Sequence, residues 1–438
     1  MAIRGRQIFE DSESRVRSYC RNFPVLLVSA EGATVVDQNG RRYVDFLAGA
    51  GALNYGHNPP AIKDRVISYL QANGITHSLD LHTAAKHDFI AALQQTILVP
   101  RSLDHRIAFP GPTGTNAVEI ALKFARVATG RQTVIAFTNA YHGMTQGALA
   151  VSGTRSKRAG AGIALSGVFR APFDGYMGAD IDTGELLEKM LDDPGSGMDA
   201  PAAIILETVQ AEGGLNVAST GWLKRVAKLA KHHGAALIVD EVQTGCGRTG
   251  PFLSFEQLGI VPDIICLSKS IGGMGLPLSV VLVRPEFDVL SPGQHNGTFR
   301  GNNLAFVAAT AALEMWDDPE FERRIRKTSE HARARLDAIV ERFPDLGAEV
   351  RGRGLLIGIE WQDKSIAGKI VQEAFSRGLI IETSGATGQV LKLLPPLTIS
   401  DAELDAGIDI IEASIAKIVG ARSPTTAMFR ATADNAPV

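Results

Sequence analysis

The chain has 438 residues, of which 45% are hydrophobic and 21% charged, with a net charge of −3. That is the profile of a globular protein with room for two or so domains, and it offers no basic footprint for nucleic acid or for an anionic membrane. Three scattered cysteines (Cys20, Cys246 and Cys266) form no C-x-x-C pair, no apolar run reaches the ~18 residues of a membrane span, and residues 1–11 lack the apolar segment of a secretory signal; the expectation is a protein of the reducing cytoplasm without disulfides or bound metal.

Along the chain, residues 33–46 read as a hairpin, with Asn39-Gly40 as its turn. Short runs rich in Ile, Val and Ala follow at 133–137 (TVIAF), 202–206 (AAIIL), 236–239 (ALIV), 264–267 (IICL) and 279–283 (SVVLV). Such runs are strands buried on both faces, as in a parallel sheet. Helical stretches at 116–128 and 220–233 lie between them, so the middle of the chain is expected to be an α/β domain. After Trp316 come a long charged helix (319–342), strands at 355–361, 379–382 and 390–393, and a helix at 402–418. The expected division is a large domain over 61–316 and a small α+β domain built from 1–60 and 317–420. Residues 421–438 lack periodicity and are expected to be a mobile tail.

Four features carry chemistry. Lys269 follows the run DIICLS, where a strand leaves the sheet. In open α/β sheets ligands bind outside the carboxyl ends of strands, and a lysine desolvated there becomes a nucleophile. Asp240 ends the run ALIVD and can point into the same crevice. Gly114 and Thr115 open a helix, where backbone amides and a hydroxyl can cradle a phosphate. Tyr141 and His142 follow the strand TVIAF, and an aromatic there can stack on a planar ring. Each feature alone has an ordinary alternative: a surface lysine, a capping aspartate, a plain N-cap, a core tyrosine. In this order they are what a pyridoxal 5′-phosphate (PLP) site needs. His232-His233 is set aside as a metal pair, because adjacent helical residues do not share a face and no third ligand is suitably spaced. Glu382 is left out of the site: it can meet a substrate's charged end, and it reads equally as a solvated strand end.

The segments GPTGTNAVE (111–119), NAYHGMT (139–145), ETVQAEGG (207–214), DEVQTGCGRTG (240–250), LSKSIGGMGLP (267–277) and HNGTFRGNN (295–303) resemble the class III, or omega, aminotransferases of PLP fold type I, over about residues 10–420. The resemblance implies a mostly parallel seven-stranded sheet and a homodimer or dimer of dimers with shared active sites. It implies that Lys269 carries the cofactor as a Schiff base and shuttles the proton. Asp240 is expected at the pyridine nitrogen, Tyr141 and Val242 on the two ring faces, and Gln243 near the ring hydroxyl. Gly114 and Thr115 are expected at the phosphate, joined by Thr298 of the neighbouring subunit, with Glu207 in support. Glu212 resembles the acid that gates a substrate-binding arginine in this family.

Further stretches (ESRVRSYCRNFP, AGAGALNYGHNPP, THSLD and LKLLPPLTIS) are similar to the branch that makes L-2,4-diaminobutyrate from aspartate 4-semialdehyde and glutamate, for ectoine, siderophores or peptide antibiotics. Small-molecule amino acids and semialdehydes are the partners this implies. Ornithine, 4-aminobutyrate or acetylornithine aminotransfer and glutamate-semialdehyde mutation are the alternatives on the same scaffold. Lys392 stands where many members have a carboxylate-binding arginine; it offers a point charge instead of a fork. It either meets a substrate carboxylate or caps a strand.

Overall fold

The computed structural model describes residues 4–420, so the tail expected at 421–438 lies outside the described residues. Its main sheet has seven strands: β1 (Arg106–Ala108), β2 (Val134–Phe137), β3 (Val168–Ala171), β4 (Ala203–Leu206), β5 (Ala236–Asp240), β6 (Ile264–Leu267) and β7 (Val280–Val283), in the order β1-β7-β6-β5-β4-β2-β3. The strands β2 to β6 pair in parallel, and β7 runs against both of its neighbours. Residues of β2, β4, β5, β6 and β7 are buried throughout, which is why these runs are continuously apolar instead of alternating.

Period-two alternation sends the side chains to opposite faces. Val134, Ala136, Ala203, Ile205, Ala236 and Ile238 pack with Ala117, Ile120, Ala121 and Phe124 of helix Gly114–Thr129. Ile135, Phe137, Ile204, Leu206, Leu237 and Val239 pack with Trp222, Leu223, Val226 and Leu229 of helix Thr220–His232 on the other side.

A second core is drawn from both ends of the chain, with Val35, Tyr43 and Phe46 beside Leu336, Ile357, Leu391, Leu404 and Ile408. Two four-stranded sheets frame it. One joins Leu27–Glu31, Thr34–Asp37 and Arg42–Asp45 to Leu379–Ile380; the other joins Ala348–Arg353, Leu356–Trp361, Val390–Leu393 and Glu382–Ser384. The run at 379–382, expected as one strand, is therefore two. Leu379–Ile380 pairs in parallel with Val44 and Asp45, then the chain crosses at Ile381 and Glu382–Ser384 pairs with Val390–Leu393. No glycine or proline marks that crossing, and both pieces are apolar enough to read as one. Strands β1 and β3 lack the long apolar run that signals a strand, and the sequence reading passes over them.

Arg248, in the segment after β5, ties these parts together. It is fully buried and donates to the carbonyls of Leu355 and Pro395 and to Asn54 Oδ1. Burial pulls its guanidinium down to about 9.

Candidate active site

A cavity of about 500 Å³ opens at the carboxyl edge of the main sheet. Neighbouring parallel strands deliver its polar groups in register. Glu207 follows β4, Asp240 ends β5, Lys269 lies two residues beyond β6, and Tyr141 and His142 lie just beyond β2. Gly114, Thr115, Glu212, Val242 and Gln243 line the same space. The structure thus gathers ten of the twelve expected site residues around one cavity, and Thr298 and Lys392 do not line it.

Lys269 opens a short 3-10 turn (Lys269–Gly272) with φ of +52°, in the left-handed region that side chains other than glycine rarely adopt. Strain of that kind persists where the surroundings over-determine the backbone. Burial lowers its ammonium to about 8, with Glu212 pulling the other way. Asp240 is fixed from two sides. One carboxylate oxygen lies 2.7 Å from His142 Nδ1, and the other accepts from the Val242 amide at 2.9 Å. Burial disfavours a charged imidazole, but the bond to Asp240 and its charge outweigh that and raise His142 above the ordinary histidine value. Glu207 accepts from the Tyr141 amide at 3.0 Å, and burial pushes its carboxyl up to about 7.

The helix Gly114–Thr129 starts at the cavity, so its first amides face it. Gly114 is small for a reason the sequence does not reveal: a β-carbon there would come within 2.7 Å of Val242 Cγ1. The Thr115 hydroxyl shares a 2.6 Å bond with that of Thr145. Gln243 donates to Ala50 O at 3.0 Å, while its buried Oε1 has no hydrogen-bond partner.

Residues 16–415 match the model of the class-III aminotransferase family. The chain belongs to the class III aminotransferases. It is 53% identical to a diaminobutyrate–2-oxoglutarate transaminase of Halalkalibacterium halodurans, over 94% of this chain and 96% of the relative. It is 54% identical to another diaminobutyrate–2-oxoglutarate transaminase, from Nocardia farcinica, over 93% of each. Among solved structures, an ornithine aminotransferase of Toxoplasma gondii, with partial occupancy of PLP at its active site, superimposes with a TM-score of 0.84 at 30% identity, over 97% of this chain and 96% of that one.

Two expected residues of this class III aminotransferase sit elsewhere. Thr298 is exposed on the segment after β7 and does not reach the cavity of its own chain. Lys392 is fully buried and does not line the cavity. Its ammonium lies 2.5 Å from Glu212 Oε1 and 3.1 Å from Glu382 Oε1. Glu382 is therefore a buried partner, not a solvated strand end; its place on a strand beside Val390–Leu393 puts it opposite Lys392. Lys157 was also beyond sequence reasoning. Its ammonium lies 3.9 Å above the Tyr141 ring centre and 3.9 Å from Glu212 Oε2. Far from the cavity, the structure brings Asp192 to the surface pair His232 and His233, with ligand atoms within 4.8 Å of one another. That third residue comes from another helix, which is why spacing along the chain hides it.

The buried triad has a pH signature. Burial would raise Glu212, but Lys392 and Lys269 outweigh it and hold the carboxyl down at about 2. Burial would lower Lys392, but the two carboxylates carry it above its ordinary value. Glu212's contribution to stability is thus present above its ordinary value of 4.5 and lost as pH falls toward about 2. That of Lys392 is present below 10.5 and lost as pH rises further. Lys392→Met should cost about 3–5 kcal/mol in urea unfolding at neutral pH, as for other broken buried ion pairs. The gap from wild type should shrink at acid pH; a gap that widens there would show that Lys392 contributes something other than the ion pair.

Proposed function

We propose that this protein transfers an amino group between L-glutamate and L-aspartate 4-semialdehyde, giving L-2,4-diaminobutyrate and 2-oxoglutarate, with pyridoxal 5′-phosphate as cofactor. The observation that carries the reaction class is a cavity-lining lysine, lowered by burial to about 8, beside a carboxylate clamped by a histidine. The two relatives more than half identical support this substrate pair, because exchange between diaminobutyrate and 2-oxoglutarate is the same reaction read backwards.

The donor set fits the cofactor. The first amides of Gly114–Thr129 suit a phosphate, and Thr298 of the partner subunit would complete that cradle. Asp240 would hold the ring nitrogen protonated, Tyr141 and Val242 would cover the ring faces, and the unpartnered Gln243 Oε1 would accept from the ring hydroxyl. Glu207 would steady Tyr141 through its amide. PLP supplies, when bound, a sink for the electrons released at the substrate's reacting carbon.

The chain's own residues do the rest. Lys269 Nζ takes the proton from the reacting carbon of glutamate and returns it later in the transfer; its lowered pKa leaves a usable share of neutral amine near pH 8. His142 keeps Asp240 oriented, and the Val242 amide fixes its other oxygen. Glu212 stands at the cavity wall with Lys392 behind it. A carboxylate next to the reacting carbon, present in glutamate and absent in the semialdehyde, reaches Lys392 only if Glu212 swings aside. On this reading the protein works in the cytoplasm as a dimer or a dimer of dimers, with a small domain made of residues 1–60 and 317–420.

Incubating purified, PLP-loaded protein with glutamate and a panel of semialdehydes should give diaminobutyrate as the chief product. Lys269→Ala should abolish it with the fold intact by circular dichroism. Asp240→Asn should keep the cofactor yet lose several orders of magnitude in kcat; near-normal turnover would remove Asp240 from its role. Sharing of the site is tested separately. Mixed dimers of Lys269→Ala with an inactive Thr298 variant should recover part of the activity, whereas a stable, fully active monomer would contradict a shared site.

A further inference from the structure

We infer that a second cavity, back to back with the catalytic one, binds a small α-amino acid that carries a second ammonium group, and that its occupancy holds Glu212 in place. Identifying that amino acid with the product, diaminobutyrate, rests on the transamination reading; the site itself does not.

This cavity measures about 450 Å³, enough for a small metabolite. Asn139 and Asp174 line it from the segments after β2 and β3. Arg351 and Glu360 line it from the strands Ala348–Arg353 and Leu356–Trp361, and Gln389 from the residue before Val390–Leu393. Two turns wall both cavities. Asn139 lines the second and Tyr141 the catalytic one; Gly213 and Asn216 line the second and Glu212 the catalytic one. The turns meet backbone to backbone, since a β-carbon on Gly213 would come within 2.4 Å of the Asn139 carbonyl oxygen.

The charges on its walls do not balance. Asp174 and Glu360 against Arg351 leave one negative charge. An α-amino acid with a second ammonium carries one positive charge and matches that remainder; a simple zwitterion leaves it unmatched, and a dicarboxylate is repelled. Arg351 donates to Asn216 Oδ1 at 2.8 Å and pairs with Glu360, which leaves further N–H donors of its guanidinium for a carboxylate. Asp174 gives one oxygen to the Ser219 amide at 2.7 Å and has the other for an ammonium.

The same walls reach Glu212. Its carbonyl accepts from the Gly385 amide at 3.1 Å, in the turn that leads to Gln389. Asn216, held by Arg351, donates to the Gly213 carbonyl at 3.2 Å. A ligand bonded to Arg351 on one side and Asp174 on the other therefore fixes the turn that carries Glu212. A ligand shifts an equilibrium only by favouring one state. This one favours Glu212 on Lys392, and so slows the half-reaction in which Glu212 must swing aside, that of glutamate.

The test uses PLP-loaded enzyme reduced with borohydride, which joins cofactor to protein so that added amino acids no longer react at the catalytic cavity. Titration calorimetry should show L-2,4-diaminobutyrate binding at least about tenfold more tightly than L-2-aminobutyrate, which lacks only the second ammonium; that is about 1.4 kcal/mol. Asp174→Asn should remove the preference, and Arg351→Gln should weaken both amino acids, which share the carboxylate. Amide hydrogen exchange at residues 211–216 should slow when diaminobutyrate binds wild type, and not in Asp174→Asn. No preference in wild type, or one untouched by Asp174→Asn, overturns the site. Unchanged exchange with the ligand bound overturns the hold on Glu212. A preference that depends on Asp174, in an enzyme that makes no diaminobutyrate from glutamate, sustains the site and overturns the proposed substrate pair.

Discussion

Parallel strand pairing is the constraint on which the rest of this molecule depends. It aligns the carboxyl ends of β2, β4, β5 and β6 along one edge, and Tyr141, His142, Glu207, Asp240 and Lys269 are delivered from there. Asp240 is opposite Cys266 in the β5–β6 ladder, so Lys269 can lie only a few residues beyond it. The apolar stretches that make the sheet possible thus also set the spacing of the reactive groups. A one-residue slip in such a ladder would turn each strand's side chains to the opposite face, and burial on both faces resists that.

The site is built against local preference. Lys269 has a left-handed backbone, Glu207 has a carboxyl lifted to about 7 by burial, and Lys392 lies buried between two acids. None of these is what a chain selected for stability alone would keep, and such departures concentrate where function demands them. The two large apolar cores, one around the main sheet and one drawn from both chain ends, are what hold these groups in place. Between the cores, Arg248 binds backbone and side-chain oxygens from both ends of the chain, so the wall of the cavity and the second core share a fixed point.

Much of this was legible before any coordinates. The strands at 134–137, 203–206, 236–240, 264–267 and 280–283 announce themselves because burial on both faces demands unbroken apolar runs. Residues at the ends of those runs were legible for the same reason, since a Lys or Asp directly after an apolar run is conspicuous. What stayed hidden depends on contacts between distant segments. Lys157 lies on a four-residue helix in a polar stretch, and nothing local ties it to Glu212 or Tyr141. Glu382 became a partner of Lys392 only through the crossing at Ile381, which has no turn residue to mark it. Gly114 was expected to admit an anion, but the structure adds a packing reason, the closeness of Val242, that no spacing rule contains.

The central claim is that Lys269, at the end of β6, is the lysine on which amino transfer turns. Borohydride reduction of the PLP-loaded protein, followed by proteolysis and mass mapping, tests it most directly. The account predicts one pyridoxyl-modified peptide, carrying its added mass on Lys269, and no such peptide from protein treated first with excess glutamate. A modification placed on Lys392, Lys157 or any other lysine, with Lys269 unmodified, would contradict it.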